Sequence, residues 1–187
     1  MAIRRWLSGQ GARRPRQRGR KKGAQDECVG PNPTDRSKSG VKKSLLVEGD
    51  GRPLAVAIGG ANTPDAQLLR ATLEAIVVER PAPTAAAPQH LCLDKGYDNA
   101  PAEAVVTGAG YVPHIRRIGE EKLDDQQQKT CPARRWVVER TFAWLSRCRG
   151  VLVRYDKLAE RYLATVKLAC GLLWFRRWHA LDPTLAF

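Results

Sequence analysis

HLCLDKGYDNA, residues 90–100, is an apolar run that stops on an acid. Leu91, Cys92 and Leu93 read as a buried strand, Gly96 and Tyr97 as the turn that closes it, and Asp94 stands between the two. In open α/β sheets chemistry gathers at the carboxyl edge of the strands. A carboxylate there has two readings: it caps the following turn, or it serves at a site. Lys95, Gly96, Tyr97 and Asp98 set charged and polar groups and a permissive backbone around the strand end, which favours the site.

Upstream, KKSLLVE (42–48) and PLAVAI (53–58) read as strands joined by a tight turn at GDG (49–51), so they are antiparallel neighbours. Residues 64–79 repeat Leu68, Leu69, Leu73, Ile76 and Val77 at helical spacing, with Pro64 at the start and Thr63 as a cap. PAPTAAAP (81–88) is a stiff linker into the quoted strand. Downstream come a short helix over 98–108, a strand at YVPHI (111–115), a polar connection over 116–132, and helices over about 133–149 and 157–178. The second of these repeats Leu158, Tyr162, Thr165, Ala169 and Leu172. The order is that of a mixed α/β fold.

A second acid, Glu139, lies in RRWVVERTFAWLSRCRG (134–150), where Val138 and Phe142 mark the buried face and Arg135 and Arg140 flank the acid. It is one residue from Val138, at the border of the apolar stripe. It reads either as a salt-bridged surface acid or as a metal ligand among arginines placed for phosphates. A strand-end Asp with a helix-face Glu is a donor pair suited to Mg²⁺ or Mn²⁺ in phosphoryl chemistry.

Net charge is +13, from 32 Lys and Arg against 19 Asp and Glu, which points to a polyanionic partner, with DNA first. Residues 1–22 hold nine Arg and Lys and no acid; with Gly and Pro interspersed, residues 1–27 read as a disordered basic arm. No apolar stretch reaches the roughly 18 residues of a membrane span, so the chain reads as soluble and intracellular. Five widely spaced cysteines give neither a disulfide framework nor a zinc motif. The histidines, His90, His114 and His179, are scattered, which gives a histidine metal site little support. Trp136, Trp144, Trp174 and Trp178 sit at helical positions and read as core rather than as base-stacking platforms. Arg36, Lys38, Lys42, Lys43, Lys95, Arg135, Arg140, Arg147 and Arg149 are the candidate phosphate contacts.

GPNPTDRSKSG (30–40), KKSLLVEGDGRPLAVAIGGAN with Asp65 behind it, LCLDKGYD, and WVVERTFAWLSRCRG followed by RYDK (154–157) together resemble the DDE transposases of bacterial insertion sequences, specifically insertion sequence family five. The resemblance covers about residues 28–178 with several motifs in order. It implies a ribonuclease-H-like mixed sheet flanked by helices and an Asp, Asp, Glu triad binding two divalent ions. Asp94 matches the second aspartate and Glu139 the glutamate. The implied reaction is DNA transposition: water cleaves a phosphodiester at the element's end, and the freed 3′-hydroxyl attacks target DNA. The implied partners are element ends and target duplex, with homo-oligomers only within a DNA complex, in the cytoplasm at the nucleoid.

The family's first aspartate belongs on a strand before the GPNPTDR loop, where this chain has GRKKGAQDECV (19–29). Asp26, Asp35 and Asp50 lie in loops or turns and are not substitutes. The expectation is therefore a catalytic domain over 28–180 that lacks its first strand and first aspartate, is inactive alone, and ends in a tail at 181–187. Two alternatives remain open: a noncatalytic DNA-binding protein or inhibitor of transposition, and another nuclease of the same fold.

Overall fold

The structure, a computed structural model, describes residues 2–8, 28–33, 36, 38–115 and 135–181. In chain order its elements are β1 (Ala2–Ser8), β2 (Gly30–Pro31), β3 (Ser39–Val47), β4 (Pro53–Gly60), α1 (Asp65–Glu74), β5 (His90–Leu93), a 3-10 turn (Lys95–Tyr97), α2 (Ala100–Gly108), β6 (Val112–Ile115), α3 (Arg135–Ser146), α4 (Arg149–Leu152) and α5 (Ala159–Leu181). The strands form one sheet in the order β2, β3, β1, β5, β6, with β4 also paired to β3. β5 runs parallel to both neighbours, with Ala2 opposite Cys92 on one side and Cys92 opposite His114 on the other. The mixed α/β order read from the sequence is therefore present.

β1 corrects two expectations, a disordered arm over 1–27 and a sheet without its first strand. A buried parallel strand needs backbone partners along both edges, and on one edge of β5 Ala2 and Ile3 stand opposite Cys92 and Leu93. The sequence AIRRWLS carries no acid, so the strand is there and an aspartate on it is not. Residues 9–27 of the expected arm, Asp26, Asp35, Cys131, the connection over 116–132 and the tail beyond Leu181 lie outside the described residues. Among the described residues no helix is long and apolar enough to cross a membrane.

The chain divides into two compact units, one of Met1–Arg5, Ser44–Ala57 and Pro64–Phe142, the other of Trp6–Lys43, Ile58–Thr63 and Ala143–Phe187. In the first, Leu45, Leu46, Leu91, Leu93, Leu69 and Val106 are buried among the strands, α1 and α2. The hairpin turns where Gly51 takes φ 87°, with Glu48 N–H donating to Arg52 O at 3.0 Å. Helix α1 keeps Leu68, Leu69 and Leu73 inside but ends at Glu74 rather than 79. The β-branched run Ile76, Val77, Val78 is a poor helix former, and Val77 is 79% exposed. Pro64, not Thr63, occupies the N-cap position.

In the second unit α4 packs on α5, and Tyr162 Oη donates to Val151 O at 2.8 Å. The buried stripe of α5 is Tyr162, Val166, Ala169 and Cys170. Leu158 and Leu172, expected on that stripe, are exposed; Leu158 precedes Ala159, the first residue of α5. Cys170 lies in this core, and burial pushes its thiol up to about 12.

Lys43 is the unusual member of this core. It is 1% exposed, and its Nζ donates to Val151 O at 2.8 Å and lies 5.8 Å from the Tyr162 ring centroid. Burial lowers its ammonium from the ordinary value to about 8. Above pH 8 the folded chain releases this proton while the unfolded chain holds it to about 10.4, so stability rises with pH across that window. Against Lys43→Met, the wild type should gain on the order of 3 kcal/mol in unfolding free energy between pH 8 and pH 10.5. Urea unfolding of both proteins at several pH values measures it, and a pH-independent difference would contradict the burial argument.

Candidate carboxylate site

In the first unit, β5 alternates with Leu91 and Leu93 buried and His90 and Cys92 on the other side. That alternation brings Asp94 half-buried to the strand's carboxyl end. Its backbone is extended at φ −76°, ψ 159°, and Oδ1 accepts the Lys95 N–H at 2.9 Å. Tyr97 N–H donates to Asp94 O at 2.9 Å and the Tyr97 side chain is buried, which closes the 3-10 turn over the strand end. Asn99 then caps α2, its Oδ1 accepting the Ala102 N–H at 3.0 Å. The capping reading and the site reading of Asp94 are thus compatible. One carboxylate oxygen orders the turn, and the turn fixes the carboxylate.

A further acid faces this turn. Asp65, in the first turn of α1, places Oδ2 3.9 Å from where a Cβ on Gly96 would stand. Periodicity could not single out Asp65, because a first-turn acid is common on any helix. Only the packing of α1 against the 3-10 turn brings it to Gly96, two residues beyond Asp94.

Glu139 lies on α3, where Val137, Val138, Thr141 and Phe142 form the buried face. Glu139 itself is exposed, beyond the border position the spacing suggested. The helix is seated by two side chains that reach the β3–β4 turn. Thr141 Oγ1 donates to Gly51 O at 2.7 Å, and Arg140 Nη2 donates to Asp50 O at 2.8 Å. Arg140 also stacks over Trp136, its guanidinium carbon 4.7 Å from the ring centroid. Asp94 and Glu139 therefore belong to the same unit, each on an element with its own anchor. Among the described residues no three His, Cys, Asp or Glu side chains converge as a metal cluster.

The candidate phosphate contacts divide sharply. Lys42 and Lys43 are 4% and 1% exposed and give their ammonium groups to Thr63 O and Val151 O, which corrects their reading as DNA contacts. Both sides of β3 are covered there, so adjacent residues are buried alike. Arg140 serves the hairpin as described. Arg36, Lys38, Arg147 and Arg149 are exposed and Lys95 is half-buried at the 3-10 turn; the Arg135 side chain lies outside the described residues. Trp136 and Trp178, read as core, are each 56% exposed, while Trp144 and Trp174 are half-buried.

A family model described as the transposase DDE domain matches residues 7–174. The chain belongs to the DDE transposase family. It is also 31% identical over 159 residues to a protein named as a transposase for insertion sequence element IS402 of Burkholderia cepacia, covering 84% of this chain and 73% of that one. Membership places this transposase domain in DNA transposition and makes DNA its general partner, and the family's chemistry rests on divalent metal ions.

The seat of α3 can be tested directly. Gly51→Ala forces φ 87° on a residue with a Cβ and brings that atom 3.0 Å from Thr141 Oγ1 and 3.1 Å from Arg140 Nη2. It should cost roughly 1–3 kcal/mol, and Thr141→Val roughly 1–2 kcal/mol. Because both act at one junction, the double variant should cost less than the sum in urea unfolding.

Proposed function

We propose that Asp94 and Glu139 are the second aspartate and the glutamate of a transposase catalytic site of ribonuclease-H-like architecture, the kind that cuts and joins DNA strands at insertion-sequence ends, and that the site is inactive in this chain alone for want of the first aspartate. The observation that carries this reading is the position of Asp94. It ends the strand flanked by parallel neighbours, in a sheet whose order β4, β3, β1, β5, β6, with a β3–β4 hairpin, supports that architecture. The donor set suits a hard divalent ion, Mg²⁺ or Mn²⁺, because both side chains offer carboxylate oxygens. When bound, such an ion supplies charge stabilisation at the phosphodiester.

The chain's own residues do the rest. The Lys95 N–H holds the Asp94 carboxylate in one orientation, and the Lys95 side chain, next to it in sequence, would serve as a phosphate contact. Thr141 and Arg140 hold the helix that presents Glu139. The strand next to β5 on the other side, β1, offers no carboxylate. That absence favours a second reading for the chain on its own, a DNA-binding protein without cleavage activity.

Mn²⁺ titration should show weak binding that is lost, by tenfold or more, in both Asp94→Asn and Glu139→Gln. Binding unchanged in either variant would remove that residue from the site. On a duplex carrying the element's ends, the 187-residue chain should give no measurable metal-dependent cleavage; efficient cleavage would show that another group replaces the missing aspartate. DNA affinity should fall steeply with salt, and replacing the seven Arg and Lys of residues 13–22 with Ser should flatten that dependence, each lost phosphate contact lowering the logarithmic slope by about 0.9. An unchanged slope would leave those residues without a phosphate role.

A further inference from the structure

His90 and His114 are separated by 23 intervening residues, yet the fold puts their rings against each other. The parallel register of β5 and β6 sets Cys92 opposite His114, and His90 stands two residues before Cys92 on the same side of its strand. His90 Nδ1 and His114 Nε2 are 2.6 Å apart, with ring centroids 4.7 Å apart at 47°. At that separation one nitrogen carries the proton and the other presents its lone pair.

We propose that His90 and His114 form a binding site for a borderline transition-metal ion of the Zn²⁺ class, separate from the carboxylates. With each ring in the tautomer that frees its facing nitrogen, two lone pairs converge on one point. Tetrahedral zinc with N ligands at about 2.0–2.1 Å wants those nitrogens about 3.3 Å apart, so the rings must part by about 0.7 Å. His90 is exposed and can supply that movement. Imidazole nitrogen selects Zn²⁺, Ni²⁺ or Cu²⁺ over Mg²⁺, the reverse of the preference of Asp94 and Glu139. Among the described residues no third protein donor completes the set, so water fills the remaining positions and the ion exchanges. The ion would clamp β5 to β6 at the opposite end of β5 from Asp94, adding a cross-link between the two strands.

The test is calorimetric titration of the full 187-residue chain with Zn²⁺ in a non-coordinating buffer containing millimolar Mg²⁺, for the wild type, His90→Asn and His114→Asn, with circular dichroism to verify folding. A site insensitive to Mg²⁺ and weakened at least tenfold in each variant is the expected result. Because a free thiol is a general competitor for Zn²⁺, imidazole ¹⁵N spectra of the wild type provide the second measurement. Zn²⁺ should shift His90 Nδ1 and His114 Nε2 together. Unchanged ¹⁵N resonances of these two nitrogens at saturating Zn²⁺, or equal Zn²⁺ affinity in all three proteins, would overturn the proposal, and the ¹⁵N measurement stands even where a variant fails to fold. Both outcomes are independent of the Mn²⁺ behaviour of Asp94 and Glu139.

Discussion

β5 is hydrogen-bonded on both edges by parallel strands, and most of what positions the carboxylate site follows from that. A strand in that position cannot be reached by a hairpin, so its neighbours must arrive from distant parts of the chain. β1 comes from the first residues and β6 from beyond α2. The crossover through α2 starts immediately at the end of β5, and this is why Asp94 is held by a tight 3-10 turn rather than a loose loop. Leu91 and Leu93 are buried beside it, so the backbone that carries Asp94 is fixed before any ligand arrives.

The glutamate is held by a different device. α3 meets the β3–β4 turn through a hydroxyl and a guanidinium that both donate to backbone carbonyls, a type of contact that depends on the carbonyls staying in place. Gly51 makes this possible by adopting a left-handed conformation and leaving room for both donors. The Glu48–Arg52 ion pair spans the same turn, so a surface hairpin becomes a firm seat for a helix. Arg140 gives one such hydrogen bond to Asp50 O and lays its planar face on Trp136, so it helps to seat the helix.

The second unit tolerates a lysine in its core because the ammonium finds a carbonyl and an aromatic ring there. The depressed Lys43 value is the signature of the desolvation cost that those contacts only partly offset. Lys42, facing the other way, reaches Thr63 O. A basic dipeptide that looked like a phosphate clamp is thus internal structure. The exposed candidates left for DNA are Arg36, Lys38, Arg147 and Arg149, with Lys95 half-buried beside Asp94.

Local pattern was enough to determine the hairpin at 42–58, the strand ending on Asp94, the buried face of α3 and the family, since each is written in neighbouring residues: alternation, turn glycines, helical spacing and contiguous motifs. Glu139 and Asp94 were legible as candidates for the same reason. Pairing across the sheet was not legible, because strand order depends on which distant segments satisfy the edges of β5. AIRRWLS carries too weak an apolar pattern to announce itself as β1. The burial of Lys42 and Lys43, the exposure of Trp136 and Trp178, the approach of Asp65 to Gly96 and the meeting of His90 with His114 all depend on packing between segments far apart in sequence. Only the tertiary structure decided them, since a side chain's burial, partners and proton affinity are set by what surrounds it in space.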